Sequence, residues 1–440
     1  MAETPWAGRR LHIVGIGGAG MSGLALIADA LGAEVSGSDC AESAYLARVR
    51  DAGIAVSVGH AAANVPAGDD VDVVSSTAVG EDNLERAAAR ERGLPDLHRS
   101  ELLRRLSALR PTIAVSGTHG KTTTTSMIVH VLIECGLDPG YLVGGELRST
   151  GSNAGWGAGE WFVVEADESD RSMLALRRDV AIVTNVELDH HATYGSLREL
   201  RHAFAEFVGG AKGAIVWTGA AIDGENTVPY DTPADLVLDE AGSRFTWRGE
   251  EVTLFLPGAH NALNAVAALE AARIAGAQEN AAAKALETFA GAGRRFERVG
   301  TFRGAEVYDD YAHHPTEVRA TLEAARTREP RRLVAVFQPH LYSRTAALGL
   351  EFGRALALAD VVVVLDVYRA REKPEDFPGV SGLLVAEAAA DAARGRPVAW
   401  FPEFDAAEAF LRSILRAGDL LLTLGAGDVD GLGKRLTKGS

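Results

Sequence analysis

Two glycine-rich stretches and a series of acid- and histidine-bearing segments hold the residues whose types and spacing could do chemistry. Gly117-Thr118-His119-Gly120-Lys121-Thr122-Thr123 carries the Gly-Lys-Thr core of a phosphate-binding loop. Such a loop aims backbone N–H groups at phosphate oxygens, sends its lysine to the β- and γ-phosphates and offers a hydroxyl, here Thr122, to Mg2+. The first glycine of the G-x-x-x-x-G-K-[ST] pattern would fall at 115, which is Val115. Nearer the N-terminus, Gly15-Ile16-Gly17-Gly18-Ala19-Gly20-Met21-Ser22-Gly23 fits a dinucleotide fingerprint, in which glycines let the backbone approach a diphosphate at a helix start. Ser38 and Asp39 follow roughly 20 residues on, where an acid can bond a ribose hydroxyl. The fingerprint does not say which diphosphate is bound. A nicotinamide-dependent oxidoreductase fits it, but leaves the phosphate loop unexplained. A non-catalytic P-loop switch is a further alternative, and it leaves the later histidine and arginine motifs idle.

Those later segments begin with the run 161–170, in which an apolar stretch delivers Glu165 ahead of Asp167, Glu168 and Asp170. A second run, 185–191, ends in Asp189-His190-His191. Oxygen and imidazole ligands at two neighbouring strand ends suit Mg2+ or Mn2+. His260-Asn261 and Asn264, Arg295, Asp310, His313-His314, His340 and Arg344 complete the set. Seven of the 12 histidines fall in these motifs, which favours a polar site over scattered surface histidines. Singly, each has a plainer reading: a solvated acid run, a surface histidine pair, an asparagine helix cap, an interdomain arginine. A phosphate loop in the same sheet favours the chemical reading.

The elements that must position these groups alternate short β-branched runs with Ala/Leu-rich stretches, the pattern of parallel α/β sheets. Three blocks separate, with boundaries near 110 and 293. The first holds strands at 11–15, 33–38 and 71–75 around a helix at 21–31. The second has strands at 112–116, 161–165 and 180–185 and ends in an Ala-rich helix at 261–275. The third has strands at 306–309, 333–337, 361–366, 398–401 and 420–423. Hydrophobic residues make up 47% of the 440 and charged residues 24%, enough apolar material for real cores. No apolar run nears the roughly 18 residues of a membrane span, and no secretory h-region precedes the first strand. Cys40 and Cys135 stand far apart, which excludes a disulfide framework and fits a reducing cytoplasm. The net charge of −16 argues against a nucleic-acid partner.

In order, the loop Gly15–Gly23, the Gly-Thr-His-Gly-Lys-Thr-Thr loop, Glu-Ala-Asp-Glu-Ser-Asp at 165–170, Asp-Asp-Tyr-Ala-His-His-Pro at 309–315 and Pro-His-Leu-Tyr-Ser-Arg at 339–344 resemble the Mur ligase family. The resemblance runs from about residue 11 to Gly427. It is greatest to the members that attach L-alanine to UDP-N-acetylmuramate; a murein-tripeptide ligase of cell-wall recycling is the near alternative. It implies an α/β fold of three domains: a Rossmann-like UDP-substrate-binding domain over 1–110, a central P-loop ATP-binding domain over 111–293, and a C-terminal Rossmann-like ligase domain over 294–440. It also implies the chemistry. ATP phosphorylates the substrate carboxylate, the amine of L-alanine attacks the acyl phosphate, and the tetrahedral intermediate collapses to amide, ADP and phosphate.

By the same resemblance, Lys121 and Mg2+ (or Mn2+) neutralise charge on the transferring phosphoryl group. Thr122 and Glu165 hold one metal, and His190 helps hold a second. ATP lies on Gly117, Thr118, His119, Gly120, Lys121, Thr122 and Thr123, with Asn261, Arg295 and Asp310 around it. Gly15, Gly17, Gly18, Ala19, Gly20, Met21, Ser22, Ser38 and Asp39 take the UDP-sugar. His313, His340 and Arg344 line the substrate and amino-acid side. The expected partners are UDP-N-acetylmuramate and L-alanine, without nucleic acid or membrane, for a cytoplasmic monomer or weak homodimer. Two departures matter. Residues 194–211 contain no lysine, with Arg201 where a carbamylated lysine would be sought, so no carbamate is expected. His191-Ala192 also replaces the family's Met-Asp, which removes a possible carboxylate near the second metal.

Overall fold

The computed structural model describes residues 4–189 and 193–438. His190, expected at the second metal, lies outside the described residues. The described chain divides into two compact units, each built on parallel sheet.

The first unit runs to Asp231 and takes in Trp247–Glu250 and Leu263–Phe289. It holds two sheets. In the N-terminal one the strands lie in the order Ala55–Val58, Glu34–Asp39, Arg10–Val14, Val71–Ser75, Asp96–His98, all parallel. The order reverses beside Arg10–Val14, so the loop that follows that strand, Gly15–Gly18, opens at the switch point where α/β sheets bind ligands. The central sheet runs Thr227–Tyr230, Gly213–Trp217, Val180–Val183, Thr112–Ser116, Phe162–Glu165, Gly140–Leu147, Ser152–Trp156. Only its last pair is antiparallel. Thr112–Ser116, which feeds the phosphate loop, lies between Val180–Val183 and Phe162–Glu165. The segments after all three therefore meet at one sheet end. These inner strands are buried along nearly their whole length, hence their apolar runs rather than alternation.

The two sheets share one core through the helix Ala19–Ala30. Gly23 makes this possible. A Cβ there would stand 2.3 Å from Leu142 Cδ1 and 3.0 Å from Ala154 Cβ. Asn153, fully buried, donates to Ala19 O at 2.6 Å and ties helix to strand.

The second unit comprises Thr232–Thr246, Glu251–Ala262 and Ala290 onward. Its main sheet runs Glu297–Phe302, Ala305–Asp310, Asp419–Leu424, Arg332–Phe337, Val361–Val364, Val398–Trp400, parallel apart from the first pair. Apolar clusters cover both faces. One includes Phe352 and Val385 from the helices Tyr342–Leu356 and Gly382–Ala392, the other Leu411 and Leu432 from Phe404–Ile414 and Asp430–Thr437. Among the described residues, no helix is long and apolar enough to cross a membrane.

Candidate active site

The helix Lys121–Glu134 opens with four threonines, a poor start by propensity. All four are buried, and Thr125 Oγ1 donates back to Lys121 O at 2.8 Å, so packing holds the turn. Before it, Gly117 and Gly120 adopt φ of +136° and +80°. A Cβ at Gly117 would stand 2.0 Å from Thr184 Oγ1, and one at Gly120 2.7 Å from Asn264 Oδ1. The loop is pinned to the next strand end. Thr118 N donates to Asn185 O at 3.2 Å and His119 N to Asn185 Oδ1 at 2.9 Å. Thr118 Oγ1 and the Glu187 backbone exchange bonds of 3.0 Å.

Lys121 folds over this loop. Its Nζ donates to Gly117 O at 2.7 Å and to Glu168 Oε1 at 3.0 Å, with Glu168 Oε2 at 2.9 Å. Burial works against the ammonium charge, but Glu168, Asp167 and Glu165 outweigh it and hold its pKa above the ordinary value. Burial likewise opposes ionisation of Asp167, and Arg99 and Lys121 overcome it, leaving that carboxyl well below the usual range. Arg99 reaches Asp167 at 2.7 Å and Asp170 at 2.8 Å, from the helix that begins just after the last strand of the N-terminal sheet.

Thr122 Oγ1 donates to Glu165 Oε1 at 3.1 Å, and Gly144 N donates to Glu165 Oε2 at 2.8 Å. A hydroxyl and a carboxylate oxygen this close, beside a lysine on a phosphate loop, are the donor set a hard cation such as Mg2+ takes. The residues present fit that ion.

At the N-terminal sheet, Gly15 N and Ile16 N donate to Ser38 O at 2.8 and 3.0 Å. Gly17 N donates to Asp39 Oδ2 at 2.8 Å, so Asp39 braces the loop. Gly18 is exposed at the loop's open edge, whereas Met21 and Ser22 are buried in helix packing. The Ser22 hydroxyl donates to Ala19 O at 2.9 Å.

The second unit carries its own cluster. Asp310 accepts from Phe296 N and Ala312 N at 2.8 Å each. Burial nevertheless pushes its carboxyl up to about 6, against the pull of Arg295. Arg295 stacks its guanidinium over Tyr311 at 5.1 Å. His313 donates from Nδ1 to Tyr311 O at 2.9 Å, its ring 6.0 Å from that of His340. Arg344 Nη1 meets His340 Nδ1 at 3.2 Å. Burial, helped by Arg344 and His340 and opposed by Glu317, pushes His313 down to about 3. Leu341, between the two motif residues, has φ +70° and ψ +134°, a strained backbone for a side-chain-bearing residue. Asn261 donates to Pro257 O at 2.8 Å.

Lys121, Thr122 and Glu165 are thus brought together, as are Gly15, Gly17, Ser38 and Asp39, and separately Arg295, Asp310, His313, His340 and Arg344. Glu168, Arg99 and Asn264 carry as much of the geometry as the residues the sequence singles out. Glu168 and Asn264 lie inside motifs already named; Arg99 carries no signal in the sequence.

A parallel α/β scaffold with a lysine-bearing phosphate loop and a hydroxyl–carboxylate cation pair defines a nucleotide-dependent phosphoryl-transfer enzyme. Residues 10–110 match the family description "Mur ligase family, catalytic domain", residues 115–272 "Mur ligase middle domain" and residues 294–427 "Mur ligase, glutamate ligase domain". The chain belongs to the Mur ligase family, with its three-domain α/β fold. It is 46% identical to the UDP-N-acetylmuramate–L-alanine ligase of Mycolicibacterium smegmatis, over 97% of this chain and 94% of that one. The enzyme of the same name from Streptomyces coelicolor is 47% identical over 98% of both. Among solved structures, the UDP-N-acetylmuramate-alanine ligase of Thermotoga maritima superposes with a TM-score of 0.83 at 30% identity, covering 97% of this chain and 98% of that one. A murein peptide ligase from Psychrobacter arcticus gives 0.69 at 26%, covering 98% of each.

Proposed function

We propose that this chain is an ATP-dependent ligase that joins L-alanine to the carboxylate of UDP-N-acetylmuramate in peptidoglycan precursor synthesis. The observation that carries the reading is the cluster of Lys121, Thr122 and Glu165 at the end of the strand Thr112–Ser116. The choice of L-alanine is supported by relatives of that name at 44–47% identity over nearly the full chain.

In this reading the carboxylate oxygen of the sugar's lactyl group attacks the γ-phosphorus of ATP and ADP leaves. The amine of L-alanine then attacks the acyl phosphate, inorganic phosphate departs, and the nitrogen gives up its proton as the amide forms. Lys121 lies where it can exchange Glu168 for a phosphate oxygen. Thr122 and Glu165 would hold Mg2+, which when bound supplies charge neutralisation at the phosphates. His190 is the expected ligand of a second ion. Asn261, Arg295 and Asp310 serve the nucleotide, and His313, His340 and Arg344 the amino-acid side. Two free cysteines, Cys40 exposed, support a reducing cytoplasm.

The test is phosphate release from ATP with UDP-N-acetylmuramate, run with and without L-alanine, glycine, L-serine or the murein tripeptide. Release that needs L-alanine and is poor with the others is expected. Release driven best by tripeptide would replace this reading with the recycling ligase.

A further inference from the structure

Glu85 stands in the first turn of the helix Leu84–Glu91 and is completely buried in the N-terminal sheet's domain. Its carboxylate collects four donors from three separate segments. Ser38 Oγ donates to Oε2 at 2.5 Å, with His12 Nε2 3.3 Å from the same oxygen. Asn64 Nδ2 and Ala61 N donate to Oε1 at 2.6 and 3.1 Å. Burial alone would raise its pKa, but these donors, His12 foremost, bring the carboxyl down to about 2, so it is ionised and only accepts.

Proton bookkeeping then reaches one residue further. Ser38 has a single hydroxyl proton, and Glu85 takes it. His60 Nδ1 lies 2.9 Å from Ser38 Oγ. With the hydroxyl proton committed, Nδ1 must be the donor in that bond. Neutral His60 therefore carries its proton on Nδ1 and its lone pair on Nε2. Nε2 has no partner among the described residues, and the side chain is 23% exposed. His60 also sits at the ligand end of the sheet: Gly59 N donates to Asp39 O at 2.7 Å, and Ser38 O holds Gly15 and Ile16 of the glycine loop.

We propose that Glu85 is a positioning residue for the nucleotide sugar: by taking the Ser38 proton it fixes His60 with an acceptor at Nε2 beside the glycine loop, and that acceptor reads an N–H donor on the bound base. Uracil offers such a donor at its imide N3–H, while cytosine presents an acceptor at N3. The device favours a uridine over a cytidine diphosphate. It rests on reading this sheet end as the UDP-sugar site.

The test has two readouts. Nitrogen NMR of histidine-labelled protein reports the His60 tautomer directly. Nδ1 protonated in the parent, and a shift toward the other tautomer or a mixture in Glu85→Gln, is expected; Nε2 protonated in the parent would overturn the proposal. Calorimetric titration with UDP-N-acetylmuramate and with UDP and CDP follows. Glu85→Gln and His60→Phe should each weaken the uridine ligands about tenfold and flatten the preference over CDP, with ATP binding unchanged. His60 is partly exposed, so His60→Phe decides the matter if Glu85→Gln does not fold. Parent-like affinity and preference in His60→Phe would overturn the proposal. A parent that binds no UDP-sugar would defeat the site reading itself and the proposal with it, and the tautomer spectrum would tell that failure apart.

Discussion

Glu168→Gln is the sharpest perturbation of the phosphate loop, because it removes one charge and almost no volume. The pair it breaks is buried, with Lys121 16% and Glu168 0% exposed at their side chains and 2.9 Å between charged atoms. At about 3 Å and an effective dielectric near 20, the attraction is on the order of 5 kcal/mol. Glutamine avoids the cost of burying a carboxylate and keeps one acceptor for Lys121, so the net loss is about 2 kcal/mol. In a unit of this size that is a fall of roughly 4 °C in Tm. Adding nucleotide should narrow the gap between the two proteins. The parent must give up its Lys121–Glu168 contact to meet a polyphosphate, whereas the variant has an underpaired ammonium waiting. The variant should therefore show the larger thermal shift with a non-hydrolysable ATP analogue and bind it at least as tightly. Differential scanning calorimetry with and without the analogue measures both quantities. A variant as stable as the parent, or one that binds the analogue more weakly, would refute the idea that Glu168 holds the place of the phosphate charge.

Three further outcomes are expected. Lys121→Ala should yield no acyl phosphate trapped by borohydride without L-alanine, while His340→Ala and Arg344→Ala still yield it; trapped product from Lys121→Ala at the parent rate would remove Lys121 from phosphoryl transfer. Gly23→Ala should lose about 2 kcal/mol despite a better helix propensity, since its Cβ would meet Leu142 Cδ1 at 2.3 Å and crowd Asn153; a chemical melt showing a gain would mean the sheet gives way freely. Burial pushes His313 and His260 down to about 3 and about 4. Their folded forms thus refuse protons that the unfolded chain binds below about 6.5, and stability falls as pH drops from there toward 4. Asp310, pushed up to about 6, opposes this between about 4 and 6, where the folded state binds the extra proton. His313→Asn should remove close to one proton, about 1.4 kcal/mol per pH unit, from the acid-side slope of denaturant melts, and an unchanged slope would count against a neutral buried His313.

The parallel strands, the two glycine loops and the motif order were legible without coordinates, because each rests on short-range physics. Thr112–Ser116 is apolar because a parallel strand is covered on both faces, and Gly120 is glycine because its φ is +80°. The edge strands Ala55–Val58 and Asp96–His98 escaped notice, since they are short and half-buried and carry little pattern. So did Gly140–Leu147, which mixes three glycines into an eight-residue strand. What folding alone decided is which buried groups share a proton or a charge. Glu168 meets Lys121 across 47 residues of chain, and Glu85 meets Ser38 across another 47. Asn264 stands against Gly120 across 144 residues of chain, and Asp39, which spacing offered to a ribose, spends one oxygen on the amide of Gly17. Spacing along a chain reports the backbone a residue needs. The partner of a buried charge depends on which distant segment the packing brings within 3 Å, and at that range the low-dielectric interior makes the choice of partner decisive.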